Sequence, residues 1–396
     1  MQYRVDKVSG HRLSVLGFGC MRFPKNFGIT DLRRSEELVM AAIEGGINYF
    51  DTAWMYPGNE DALGKILEKN GVRDKVFIAT KLPLALVREG RDFEKFFRQS
   101  LERLRTGHVD YYLLHMLTDM DMWNTLKSLG IEAWIDEKKK SGQIGRIGFS
   151  FHGSGDQFLR LVDDYPWEFC QIQYNYSDEN FQAGVTGLRR AAAKMPVMIM
   201  EPLLGGKLVS LLPREAAELF KRADPAVSPA GWGLNWVWNQ EEVTLLLSGM
   251  SSGEQLEENL RLADASRPGM LDGGDLAVYR EVLALINRAF RVRCTGCGYC
   301  MPCPRGVNIP GCFGAYNASF AIGWVEGMKQ FTTSTAVTSA RRSGPGLCVE
   351  CGKCEERCPQ HIPIITSLKS VGRRMEPLWY RGAMAVFRRV TGGGRA

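Results

Sequence analysis

Residues 47–56 read INYFDTAWMY, an apolar, strand-favouring run that turns polar at Asp51 and enters a Tyr-Pro turn at Tyr56. A strand buried on both faces is a near-continuous apolar run, so an aspartate at its C-terminal end marks where the chain leaves the core. Runs of the same kind recur as SVLGFGC (14–20), VFIATKL (76–82), VDYYLLH (109–115), RIGFSFH (146–152), FCQIQYN (169–175), VMIMEPL (197–203) and VTLLLSG (243–249). Between them lie amphipathic stretches such as DFEKFFRQSLERLR, where Phe93, Phe96, Phe97, Leu101 and Leu104 recur at three and four spacing. Strands alternating with helices make a parallel sheet, and eight such repeats close it. The expected fold class is α/β, a (β/α)8 TIM barrel. No G-x-G-x-x-G follows an early strand, which disfavours an open doubly wound sheet.

The chain has 396 residues, enough for one large domain and a smaller one. Its net charge of +6 owes much to arginines near the C-terminus, among them Arg373, Arg374, Arg381, Arg388, Arg389 and Arg395. That is a local basic tail rather than a nucleic-acid-binding face, so no nucleic-acid partner is expected. No run of about 18 uncharged apolar residues occurs, so no membrane span is expected either, and a cytoplasmic protein is. Nine of the eleven cysteines fall between Cys294 and Cys358 with repeated two-residue gaps. In a chain of this length such crowding points to metal ligation in a reducing compartment rather than to disulfides. The pattern changes near residue 290, giving expected domains of 1–288 for the barrel, 289–375 for the cysteine domain and 376–396 for the tail. The polar segment 328–346 reads as a partly mobile connection between two cysteine runs.

In a barrel of this type reactive groups gather at the C-terminal ends of strands. Asp51, Lys81 and His115 end three successive strands, and Tyr56 follows the first of them. A lysine beside a tyrosine favours the phenolate, and a carboxylate beside the lysine keeps that lysine charged. At about 4 Å and an effective dielectric of about 20, one such charge contributes roughly 4 kcal/mol, or about three pKa units at most. Tyr56 then suits a general acid toward a carbonyl oxygen, with His115 orienting that oxygen. Singly, Asp51 reads as a helix cap, Tyr56 as a surface aromatic and His115 as a satisfied core histidine. Their conjunction at three strand ends carries the functional reading.

The segments GFGCMRF, GINYFDTAWMY, VFIATKL, DYYLLHM, GRIGFSFHG, QIQYNY, MEPLLGGKL and SGMSSGEQLEENL, in that order, resemble the aldo/keto reductase family over roughly residues 10–265. The resemblance implies NAD(P)H as hydride donor and a catalytic tetrad of Asp51, Tyr56, Lys81 and His115. It further implies that Ser150 and Gln173 hold the nicotinamide carboxamide with Tyr174 beside them, and that Glu258 and Asn259 contact adenine. Family members that prefer NADPH place basic residues on the 2′-phosphate, where this chain has Gly249 and Gln255, and Phe151 replaces the usual asparagine after the serine. These departures leave NADH, NADPH and a flavin in the barrel mouth as alternative carriers.

The first cysteine run is Cys294-x2-Cys297-x2-Cys300-x2-Cys303-Pro304. The second, Cys348-x2-Cys351-x2-Cys354-x3-Cys358-Pro359, matches the bacterial ferredoxin run, in which the last cysteine ligates the other cluster of a pair. The expected assignment is one [4Fe–4S] cluster on Cys294, Cys297, Cys300 and Cys358, and another on Cys348, Cys351, Cys354 and Cys303. Because Cys303 comes one residue early, Cys312 is the alternative fourth ligand. Structural zinc is the rival, but zinc ribbons use two cysteines per knuckle and have no use for a third at the same spacing. The whole chain resembles bacterial and archaeal aldo/keto reductases that carry a C-terminal, α-helical ferredoxin-like iron–sulfur domain.

Three functions fit. In one, a low-potential, ferredoxin-like donor feeds the clusters and a small carbonyl-type substrate is reduced in the barrel mouth. In the second, the chain is a plain NAD(P)H carbonyl reductase with structural clusters. In the third, it is a non-catalytic redox or iron sensor or an electron-transfer subunit. The tetrad argues against the third.

Overall fold

The structure is a computed structural model and describes residues 1–337, 343–377 and 380. Its contacts divide the chain into two units, one of residues 1–202 and 231–272, the other of residues 203–230 and 273 onward.

The first unit is a closed parallel barrel. Its strands are β1 (Leu16–Gly19), β2 (Tyr49–Asp51), β3 (Phe77–Leu82), β4 (Val109–Leu117), β5 (Ile144–Phe151), β6 (Phe169–Gln173), β7 (Val197–Met200) and β8 (Leu245–Ser248). Each neighbours the next in chain order, and β8 returns to β1. All eight expected strands are present. Their outer faces are covered by helices such as Arg91–Leu104, which buries Phe93, Phe96, Phe97 and Leu104 as its spacing predicts. The helix Asn59–Asn70 lies so close to it that a Cβ on Gly64 would strike the Arg103 carbonyl oxygen. Only glycine allows that approach.

Period two governs the interior. Tyr49, Ala79, Tyr111, Leu113, Phe169, Met198, Leu245 and Leu247 form one buried apolar cluster inside the ring. Burying each large member contributes about 1.5–3 kcal/mol. Two residues further along the same strands stand Asp51, Lys81, His115 and Gln171, all buried. The apolar plug therefore gives way to polar side chains one layer nearer the C-terminal ends of the strands.

The second unit is helical. Gly273–Ala289 is a helix, so the expected domain boundary at 288 falls at its end. Helices Ile309–Ala321 and Ile364–Met375 each follow a cysteine run. They pack Ile309, Phe313, Ile364, Leu368, Val371 and Met375 into one core with Val307 and Phe331. Asn308 caps the first helix by accepting from the Gly311 amide at 3.1 Å. Glu355 accepts from the Ile365 amide at the start of the second at 2.8 Å. The connection expected at 328–346 is in part regular: Trp324–Thr332 is a helix that continues into a wider turn over Thr333–Val337. The apolar contacts of Met328 and Phe331 hold it there, which its polar composition hid. Residues 338–342 lie outside the described residues, as does the expected basic tail apart from Glu376, Pro377 and Tyr380.

Candidate active site and cluster-binding cysteines

Strand register brings the first four candidates together. Asp51 lies opposite Ala79, so Lys81, two residues on, shares its inward face one step higher. Lys81 Nζ reaches back to both Asp51 carboxylate oxygens, at 2.6 and 2.7 Å, and to the Thr52 carbonyl at 2.8 Å. Burial pushes the Asp51 carboxyl up, opposed by the Lys81 ammonium and by a hydrogen bond from Gln171. A buried charge survives only with such partners, and removing one partner from a pair of this kind costs about 3–5 kcal/mol.

Tyr56 sits above this pair. Lys81 Nζ is 5.3 Å from the centre of its ring, and the His115 ring meets it edge to face at 5.9 Å. The aim of His115 comes from a bulge: the register of β4 on β5 runs from Leu114↔Phe149 to Leu117↔Phe151, one extra residue on β4. Met116 takes up the irregularity in the left-handed region at φ 63° and donates its amide to Ser150 Oγ at 2.9 Å. Bulges beside active sites re-aim side chains in this way, and backbone strain concentrates there. Burial, then the charge of Lys81, then His152, hold the His115 imidazole well below its ordinary pKa. The ring is therefore neutral at pH 7, with one N–H able to donate a hydrogen bond.

His152, which ends the run RIGFSFH, is a further residue of this site, near enough to His115 to act on its charge. It is 7% exposed, and its Nδ1 lies 3.4 Å from Gln182 Nε2. Period two from Ser150 was the available signal, since residues 150 and 152 fall on one face.

Of the expected nicotinamide contacts, Ser150 and Gln173 are buried, and Gln173 Nε2 donates to Asp178 at 3.1 Å. Tyr174 is fully buried with its ring 5.0 Å from that of Trp236, and its hydroxyl has no hydrogen-bond partner among the described residues. Asn259 donates to Ser248 Oγ at 2.9 Å, fastening the helix Gly253–Ala265 to the end of β8, while Glu258 on that helix is half-buried. Gly249 and Gln255 indeed offer no cation. The stem of Arg22, from the turn after β1, passes within about 3 Å of where a Gly249 Cβ would stand.

The second unit gathers the thiols into two cavities. One is bordered by Cys294, Cys297, Cys300 and Cys358 with Pro310, Phe313 and Ile364. The other, of about 250 Å³, is bordered by Cys303, Cys348, Cys351 and Cys354, and Cys300 touches its edge. Gly296, Gly298 and Gly352 turn the runs back on themselves at φ 76°, 82° and 77°. Burial pushes the Cys294 thiol up to about 11, against the Gly296 amide and the Lys207 ammonium. Cys312 borders neither cavity. It is fully buried in the helix Ile309–Ala321, and burial raises its thiol well above the ordinary value. Cys20 and Cys170 are buried in the first unit.

Residues 15–267 match the aldo/keto reductase family, which is more than half the chain. The chain belongs to the aldo/keto reductase family. Residues 293–362 match the 4Fe-4S dicluster domain, so this family member carries a ferredoxin-type iron–sulfur domain that follows its barrel in sequence. It is 25% identical to the uncharacterized oxidoreductase YrpG of Bacillus subtilis over 342 residues, 73% of this chain and 96% of that protein. It is 33% identical to an aldo-keto reductase of Mycobacterium avium over 64% of this chain and 82% of the other. A solved structure described as an aldo-keto reductase from Pseudomonas aeruginosa superposes with a TM-score of 0.52 at 23% identity, over 66% of this chain and 94% of that one. That likeness supports the barrel fold. The chain is thus an oxidoreductase, and no helix among its described residues is long and apolar enough to cross a membrane.

Proposed function

We propose that this aldo/keto reductase reduces a small carbonyl or related substrate in the barrel mouth, with Tyr56 as proton donor and electrons fed from a low-potential donor through two [4Fe–4S] clusters. The observation that carries the reading is Tyr56 held over a buried Asp51–Lys81 ion pair and against a neutral His115. The reduction takes two electrons and two protons: one proton passes to the substrate oxygen as the Tyr56 O–H bond breaks, the nearby Lys81 ammonium stabilising the phenolate left behind, and the second comes from water to form the C–H bond. His115, uncharged, donates a hydrogen bond to the same oxygen. The Asp51 carboxylate keeps Lys81 protonated and fixed.

The two cysteine-lined cavities fit the dicluster domain. We assign Cys294, Cys297, Cys300 and Cys358 to one cluster and Cys303, Cys348, Cys351 and Cys354 to the other; when bound, the clusters supply single electrons. A reducing compartment, the cytoplasm, suits such sites.

Arg22 favours a second reading. Its stem crosses Gly249, one of the positions where the resemblance expects a basic residue for the 2′-phosphate of NADPH, so Arg22 would supply that cation. Ser150, Gln173, Glu258 and Asn259 would then hold a nicotinamide coenzyme, which supplies hydride when bound, and the clusters would be structural. Mixing anaerobic protein with NADH, NADPH or dithionite separates the two. The proposed function predicts that the visible absorption bleaches with dithionite and not with either nicotinamide. Retention of full absorption under all three, with NADPH oxidised on adding an aldehyde, would support the second reading instead.

A further inference from the structure

The two cysteine cavities differ in what surrounds them. The one bordered by Cys294, Cys297, Cys300 and Cys358 has no charged side chain in its wall, the one cation near it being Lys207 behind Cys294. The one bordered by Cys303, Cys348, Cys351 and Cys354 has three cations, Arg305, Lys353 and Arg357, and no carboxylate. All three cations are exposed, and none is in an ion pair among the described residues. Two of the three acidic residues of that run are engaged elsewhere: Glu350 pairs with Lys369 at 2.9 Å, and Glu355 accepts from the Ile365 amide, while Glu356 is exposed next to Arg357 and does not line the cavity. Among the described residues, which include every cysteine, Cys351 alone is an exposed one. Beside it Val349 is 56% exposed, and Pro302 and Pro304 add apolar surface to the same rim.

An exposed cysteine, a small apolar patch and a rim of cations are the features that an entry point for electrons from outside would need. Single-electron encounters use small interfaces, and complementary charge steers them. We propose that this rim is the docking face for a small acidic one-electron carrier protein. The inference rests on the reading that Cys303, Cys348, Cys351 and Cys354 hold a [4Fe–4S] cluster. In the step it serves, one electron leaves the reduced carrier and the cluster takes it up. No bond breaks and no proton moves.

The test uses the full chain purified with its clusters and an oxidised plant-type [2Fe–2S] ferredoxin as the acidic probe, so that binding is read without dependence on potentials. Calorimetry should detect a complex at low salt that weakens at least tenfold when ionic strength rises from about 0.05 to 0.5 M. The variant Arg305→Glu/Lys353→Glu/Arg357→Glu should weaken it at least tenfold at low salt, and the milder Arg305→Gln/Lys353→Gln variant less so. No binding at low salt, salt-independent binding, or wild-type affinity in the charge-reversed chain would overturn the docking face. Equal affinity for a short DNA duplex would also overturn it, since the rim would then be a general polyanion surface. Iron and sulfide counts on the same samples separate the two failures. A wild-type chain without iron refutes the cluster reading, whereas loaded chains that ignore salt and charge refute docking. Should the charge-reversed variant lose iron, the milder variant and the wild-type salt dependence still decide.

Discussion

Tyr56→Phe is expected to lower kcat/KM for reduction of small aldehydes and ketones by about 10²–10⁴, the range that a positioned general acid contributes. The ring, its contact with His115 and its place over Lys81 all survive the change, so only the transferable proton is lost. Iron content and unfolding temperature should therefore match wild type. Turnover near the wild-type rate would remove Tyr56 and its neighbours from the chemistry. The same geometry sets a pH expectation. Because burial, Lys81 and His152 depress the folded His115 pKa well below its ordinary 6.5, imidazole protonation should produce no acid limb in the rate profile near pH 6.5. The unfolded chain binds that proton and the folded chain does not, so His115 lowers stability as pH falls below about 6.5. A limb near pH 6.5 that vanishes in His115→Asn would show the imidazole to be charged in the working enzyme.

Cys303→Ser and Cys312→Ser should part company completely. Cys303 shares a cavity with Cys348, Cys351 and Cys354, whereas Cys312 is sealed in the helix Ile309–Ala321. Serine at 303 should cost one cluster, leaving about four iron per chain or a labile three-iron remnant in the damaged site. Serine at 312 should keep about eight. Its penalty is a buried hydroxyl among apolar neighbours, read as about 1–3 kcal/mol of stability in denaturant titration. The reverse pattern of iron loss would move the fourth ligand to Cys312.

How far the sequence carries this account depends on the reach of each contact. Strands β1 to β8 were legible because burial on both faces imposes an apolar run, and a polar residue ending such a run is conspicuous, as Asp51, Lys81 and His115 are. The cysteine runs were legible because a thiol every third residue has few other uses. What stayed hidden depends on neighbours distant in sequence. The residue at 116 reads as an ordinary methionine, yet its left-handed backbone and its hydrogen bond to Ser150 aim His115. Arg22 lies more than two hundred residues from Gly249, which it crosses, and nothing local announces that meeting. The segment at 203–230 follows a barrel strand in sequence but groups with the cysteine-bearing unit. His152 is the instructive case: period two was enough to put it beside Ser150, but a histidine at a strand end has too many ordinary uses to be singled out alone.

Counting metal and sulfide in protein purified without oxygen decides whether this reductase barrel is joined to two iron–sulfur clusters. The protein should be brown, with about eight iron and eight acid-labile sulfide per chain and visible absorption that dithionite bleaches. A colourless protein carrying stoichiometric zinc and no sulfide would contradict it.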